Sequence, residues 1–273
     1  MSTIKERLAN DSEPIKLLIK CYQSPGDILL LSAAIRDLHI SYPNKFITDV
    51  RTPCVNIFEN SPYITALDDD DPDCILLDAG YPLIHQSNQG SHHFIHGFRM
   101  DLEEKLGIPI KAGDMKGDIH LTDTEKGWIS QIKEIEGNDI PFWIIDAGSK
   151  SDYTAKQWEI ARFQELVYQL PEITFVQIGS PEHRHPQLFG DNLINLIGQT
   201  DLRQFIRLMY WAAGVITPVS FPMHLAAAVE VHPMYKRKSR PCIVIAGGRE
   251  PSHWEAYPNH AYLHSCGKLS CCD

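Results

Sequence analysis

The chain has 273 residues, enough for one large domain or two of the usual ~100–150 residues. Hydrophobic residues at 43% and charged residues at 22% are those of an ordinary globular protein. A net charge of -10 argues against a general nucleic-acid binder, which needs a basic face, and no apolar run reaches the ~18 residues that span a bilayer. The N-terminus lacks the apolar core of a secretory signal, so the expected compartment is the cytoplasm. Seven cysteines (Cys21, Cys54, Cys74, Cys242, Cys266, Cys271 and Cys272) do not form the even, regularly spaced framework of a secreted disulfide protein. The first four lie in or beside apolar runs and are expected to be buried thiols.

In chain order, residues 16–21 read as a strand, followed by the turn Ser24-Pro25-Gly26 and a helix over 27–42. Residues 46–50 and 74–77 read as further strands, and Phe94, Phe98, Leu102 and Leu106 give 93–106 helical spacing. The acidic run 68–71 reads as a solvated loop. A single helix is expected over 122–135, with Thr122 and Glu125 forming a capping box. The breaker Gly137-Asn138-Asp139-Ile140-Pro141 suggests a domain boundary. Beyond it, strands are expected at 142–145, 174–178, 193–196, 215–217 and 242–246, and helices at 157–170 and 202–211. Short buried strands alternating with amphipathic helices imply βαβ units and parallel sheets. The expected fold class is therefore α/β, with two such lobes facing a cleft: 1–137, 138–262 and a cysteine-containing tail at 263–273.

Ligands of open α/β sheets bind outside the carboxyl ends of the strands. That rule points to three loops, 23–27, 147–156 and 217–221. The last precedes a helix that opens near Pro222, where missing helical partners leave N–H groups for an anion. Ser220 is placed to cap that turn, and His224 lies inside it; a capped, Ala-rich core helix accounts for the same residues.

Several segments resemble glycosyltransferase family 9, the ADP-heptose heptosyltransferases, in matching order. They are Pro25-Gly26-Asp27 with Tyr42-Pro43, Asn60-Ser61-Pro62-Tyr63, Ala147-Gly148-Ser149 with Lys156-Gln157-Trp158, 195–202 and Pro222-Met223-His224. The segment Val219-Ser220-Phe221 departs from the family's Asp-Ser-Gly. The changed turn and the segment from Gly247-Gly248-Arg249-Glu250-Pro251 to Cys272 are closest in style to the cysteine-containing protein O-heptosyltransferases that modify autotransporters.

The resemblance implies a GT-B enzyme of two Rossmann-like lobes, the first for the acceptor and the second for the nucleotide-sugar. It implies inverting transfer of a heptose-like sugar from an ADP-sugar donor to a hydroxyl of a glycan, small molecule or protein. Asp27 is the candidate catalytic base, although a helix-capping role accounts for it as well. Ser149, Lys150, Lys156, Gly179, Glu182, Ser220, Pro222, Met223 and His224 are the candidate donor-binding residues. No cofactor is expected for catalysis, because Lys156 and the helix start would hold the diphosphate. Cys266, Cys271 and Cys272 read as a flexible thiol tail, with part of a structural iron or zinc site as the alternative that the resemblance to the cysteine-containing enzymes implies. A homo-oligomer is compatible with such a tail, and no nucleic-acid partner is expected. His92 and His96 are spaced as ligands on one helical face but lack a third ligand at motif spacing. Trp254, Glu255 and Pro258 are suited to line a cleft. Two other readings remain open: a nucleotide-sugar epimerase of similar architecture, and a non-catalytic relative that binds a nucleotide-sugar or a partner subunit.

Overall fold

Leu17, Leu18 and Ile19 are buried within a parallel sheet, as their uninterrupted apolar run requires of a central strand. The structure, a computed structural model, describes residues 3–10, 12–80, 92–148, 156–180, 182, 185–248 and 250–268. The chain divides into two units, Met1–His120 and Leu121–Asp273. Among the described residues no helix is long and apolar enough to cross a membrane.

The first unit contains α1 (Ile4–Asn10), β1 (Ile15–Lys20), α2 (Pro25–Ser41), β2 (Phe46–Arg51), β3 (Ile75–Asp78) and α3 (Ile95–Leu106). Its strands run in parallel in the order β2-β1-β3. Helix α2 takes Pro25 in its first turn, where the absent N–H costs nothing. It buries Ile28, Leu29, Leu30, Leu31, Ala33, Ala34, Ile35 and Leu38, so it is a core helix rather than an amphipathic surface one. Arg36 and Asp37, also buried, pair at 2.8 Å. Arg36 donates to the Asp114 and Lys116 carbonyls, and Asp37 accepts from the Gly113 N–H, fastening that segment to α2. Helix α3 stops at Gly107, whose φ of 65° is the left-handed conformation that glycine adopts without a Cβ clash.

The acidic run is not wholly solvated. Asp71 pairs with Lys16 at 2.7 Å and Asp69 with Arg51 at 2.5 Å. Of the four cysteines expected to be buried, Cys74 is only half-buried. His92 precedes α3 and His96 lies within it, so the two do not share one helical face.

The second unit contains α4 (Asp123–Gly127), α5 (Gln131–Glu136), β4 (Phe142–Ile145), α6 (Ile160–Gln169), β5 (Thr174–Gln177), β6 (Leu193–Asn195), α7 (Leu202–Trp211), β7 (Gly214–Pro218), α8 (Phe221–Ala228), β8 (Cys242–Gly247), α9 (Ser252–Glu255) and β9 (His260–His264). The six strands are parallel in the order β6-β5-β4-β7-β8-β9. Numbered within the unit this is 3-2-1-4-5-6, the doubly wound order of dinucleotide-binding folds. Phe163 and Val167 of α6 pack with Ile145, Phe175, Leu188 and Ile216 to form a core on one face of this sheet.

The helix expected over 122–135 is two helices. The Thr122 and Glu125 capping box forms as expected, with N–H contacts of 2.8 and 3.1 Å. Trp128 then turns extended, and Ser130 starts α5 by accepting from the Lys133 N–H at 3.0 Å. Both helices belong to the second unit although they precede the breaker at 137–141. Arg203 of α7 grips Glu125 through two nitrogens at 2.7 and 2.8 Å, Lys126 pairs with Glu230, and Gln131 donates to the Gln204 carbonyl. Strand β9 was absent from the expected strands. Among the described strands it pairs with β8 alone, at the sheet edge, and His-Ala-Tyr-Leu-His lacks the apolar run of a buried strand.

Candidate functional site

Strands of the second unit wind outward in both directions from the β4 and β7 pair. The space beyond the carboxyl ends of these two strands is therefore its topological switch point, where doubly wound folds bind ligands. Asp146 follows β4 there and is buried. Its Oδ2 accepts from Ser220 Oγ at 2.9 Å and Thr217 Oγ1 at 3.3 Å, both from the end of β7. Its Oδ1 accepts from the Gly148 N–H at 2.9 Å and lies 3.6 Å from His185 Nδ1. One carboxylate thus ties three chain segments at the switch point.

The His185 ring lies against Gly148 and Gly179. A Cβ on either glycine would come within 1.9 Å and 2.3 Å of the ring, so neither position has room for a side chain while the ring stays. Gly179 accepts at its carbonyl from the Gly198 N–H at 2.9 Å. Glu182 is exposed, while Ser149 and Lys150 lie outside the described residues.

Ser220 occupies the N-cap position of α8, but its hydroxyl is drawn to Asp146 and Thr217 rather than to the helix N–H groups. Pro222 is the second helical residue and has no N–H, and Met223 donates its own to the Ser220 carbonyl at 3.0 Å. The helix start is therefore a poorer array of free donors than the sequence suggests. Met223 and His224 are buried. His224 Nδ1 lies 2.7 Å from the Tyr257 hydroxyl and Nε2 lies 3.5 Å from Glu255. Burial, with Glu255 adding to it, holds the Tyr257 hydroxyl well above the usual phenol range, so it remains protonated. Trp254 and Glu255 are interior groups here.

Lys156 reaches Glu250, beyond the carboxyl end of β8, at 2.7 Å. In the first unit, Asp27 is half-buried just past β1, and its Oδ2 accepts from the Ser24 N–H at 3.2 Å. Ser24 is thus the N-cap of α2, and Asp27 is the residue three on that reaches back to it. The Cys21 thiol is raised by burial, with Asp27 and Asp101 adding to the effect.

Cys266 donates its thiol to the Gly248 carbonyl at 3.1 Å, and burial raises its pKa, both of which favour the protonated form. Cys271 and Cys272 lie outside the described residues, among which no three His, Cys, Asp or Glu side chains gather as metal ligands. Asp146, His185 and Glu250 were not among the expected site residues. The available signal for Asp146 was its place directly after the apolar run 142–145 and before Ala147-Gly148.

The family model described as glycosyltransferase family 9 (heptosyltransferase) matches residues 85–265, more than half of the chain. Among solved structures, a glycosyl transferase family 9 protein from Veillonella parvula DSM 2008 is similar with a TM-score of 0.70 at 14% identity, over 96% of this chain and 90% of that one. E. coli heptosyltransferase WaaC with ADP gives a TM-score of 0.66 at 16% identity, over 92% and 94%. The iron-containing dodecameric glycosyltransferase TibC from enterotoxigenic E. coli H10407 gives 0.62 at 14% identity, over 93% of this chain but 65% of that one. At such identities these likenesses speak to fold, and they agree with the expected α/β, GT-B class. No curated protein matches the chain in sequence. Nothing in these likenesses favours the epimerase or non-catalytic readings. With its parallel α/β units and the match over residues 85–265, the chain belongs to glycosyltransferase family 9 and is a glycosyltransferase.

Proposed function

We propose that the chain transfers a heptose-like sugar from an ADP-sugar to a hydroxyl acceptor with inversion at the anomeric carbon. The observation that carries this reading is the knot of Asp146, Thr217 and Ser220 at the switch point of a 3-2-1-4-5-6 sheet, the place where such sheets take nucleotides. Two similar structures add support: WaaC is described with ADP, and TibC in complex with ADP-D-beta-D-heptose.

In this reading the N-terminal unit receives the acceptor and the C-terminal unit the donor. Asp27 takes the proton of the acceptor hydroxyl as its oxygen bonds to the anomeric carbon. The bond from that carbon to the diphosphate breaks, and ADP leaves with the electron pair. Lys156 offsets the charge on the leaving group, with Ser149, Lys150 and the turn 220–224 completing the donor contacts and Gly179 and Glu182 on the nucleoside side. The ion pair with Glu250 means that Lys156 brings a partly neutralised charge, already oriented. The acceptor is a hydroxyl of a glycan, small molecule or protein.

The cysteine tail is a candidate structural iron or zinc site in this reading, and TibC is described as iron-containing and dodecameric. Elemental analysis of protein purified without chelator tests this: stoichiometric metal lost on Cys271→Ser supports it, and none refutes it. Light scattering tests a homo-oligomer, and cell fractionation tests a cytoplasmic location. For the donor, a thermal-shift panel of nucleotide-sugars is decisive, because a ligand at 100 times its Kd stabilises by about 2.7 kcal/mol. ADP-linked sugars should shift the chain most. Asp27→Asn should then abolish turnover while keeping donor binding, and wild-type turnover in that variant would refute the base assignment.

A further inference from the structure

Glu250 is buried, with 4% of its surface exposed, yet only one of its carboxylate oxygens has a hydrogen-bond or ion-pair partner among the described residues. Oε1 holds the Lys156 ammonium at 2.7 Å, and Oε2 is buried with no hydrogen-bond partner among the described residues. An ionised carboxylate is an acceptor on both oxygens, and a buried polar atom left unmatched in a folded chain calls for an explanation. Elsewhere in the same unit, buried carboxylates are matched: Glu125 binds Arg203 through both oxygens, and Asp146 is bonded at both of its own. The pair is also asymmetric. The Lys156 side chain keeps 24% exposure and that of Glu250 only 5%, so a ligand would meet the pair from its Lys156 end.

We propose that Glu250 is a donor-recognition residue: Oε1 orients Lys156, and Oε2 accepts a hydrogen bond from a hydroxyl of the bound nucleotide-sugar. This rests on the donor reading above. A phosphate oxygen is excluded as the group at Oε2, because two acceptors repel, whereas a sugar or ribose hydroxyl supplies the missing proton. The two sources of that hydroxyl are separated by the choice of ligand.

The test is titration calorimetry of the full chain with ADP, 2′-deoxy-ADP, 3′-deoxy-ADP and ADP-heptose, comparing wild type with Glu250→Gln, and Lys156→Met with the double variant. Glu250→Gln should weaken the hydroxyl-bearing ligand by about tenfold or more, the range of a charge-assisted bond. A ribose contact predicts that one deoxy ligand loses that factor on wild type and none on Glu250→Gln. A sugar contact predicts instead that the gain of ADP-heptose over ADP disappears in the variant. In the Lys156→Met background, Glu250→Gln should still cost several-fold. Equal affinities for wild type and Glu250→Gln, or a loss that vanishes once Lys156 is removed, overturn the proposal while the donor reading stands. A wild-type chain that binds none of these ligands overturns both. If Glu250→Gln does not fold, the wild-type series decides alone: no deoxy ligand weakened and no gain from the sugar overturns the proposal.

Discussion

Asp146 Oδ2 lies 2.9 Å from Ser220 Oγ, joining the carboxyl end of β4 to that of β7. The two residues are far apart in the chain and meet because β4 and β7 are neighbours in the sheet. This bond takes the Ser220 hydroxyl from the helix cap it could have made and fixes the turn 217–220. Asp146→Ala removes the acceptor shared by Ser220, Thr217 and the Gly148 N–H, although both hydroxyls keep the Pro218 carbonyl within reach. It should cost about 1.5–3 kcal/mol, the range for hydrogen bonds to a charged group, and weaken ADP-sugar binding. Urea unfolding and calorimetry measure the two effects; a variant unchanged in both would remove Asp146 from the site.

Gly179→Ala would place a Cβ 2.3 Å from His185 Nδ1. Because the ring is a side chain and not backbone, it can move, but only by leaving its place near Asp146. The expected cost is about 1–3 kcal/mol of overpacking, together with altered donor affinity. A melting temperature equal to wild type would show that the ring has no fixed place there.

His260 should make the chain acid-sensitive. Burial, with Arg240 adding to it, lowers its pKa from 6.5 to about 4. Between those values the unfolded chain binds the proton that the folded chain refuses, so stability falls as pH drops from 6.5 and the loss is complete near 4. Its size is on the order of 3 kcal/mol. A His260→Gln variant should show a shallower decline of stability with acid than wild type, and an identical slope in urea titrations at pH 7, 6, 5 and 4.5 would contradict this.

Arg240 is the largest fully buried side chain among the described residues and donates to the carbonyls of Ala212, Ala226, Val229, Tyr210 and Glu230. Those carbonyls belong to the ends of α7 and α8, so one guanidinium closes both helices. Burial lowers its pKa to about 9, which leaves it charged at neutral pH. Lysine has three donors for these five acceptors. Arg240→Lys should therefore destabilise by at least about 3 kcal/mol, with fewer than all carbonyls satisfied. Near wild-type unfolding midpoints would show that water replaces the guanidinium.

Strand positions were legible wherever a run was buried on both faces, as at β1, β4 and β5, since a central strand needs no polar alternation. The capping signal at Thr122 was equally legible, because a cap is a contact made within four residues of chain. The end of α4 was not: Gly127, Trp128 and Ser130 look compatible with a continuing helix until Ser130 makes its own cap. At the site, Asp27 and Lys156 were singled out by their places in motifs. Asp146 and Glu250 were passed over, because their roles depend on partners in distant segments.

The sequence by itself determined what local rules govern: the βαβ alternation, the α/β class, the family motifs and most helix starts. Only the tertiary structure decided which strand ends adjoin and hence which polar groups meet. Sheet order is set by long-range packing of apolar faces, which no local spacing encodes. That order brings Ser220 to Asp146, while the fold of the same unit brings Lys156 to Glu250.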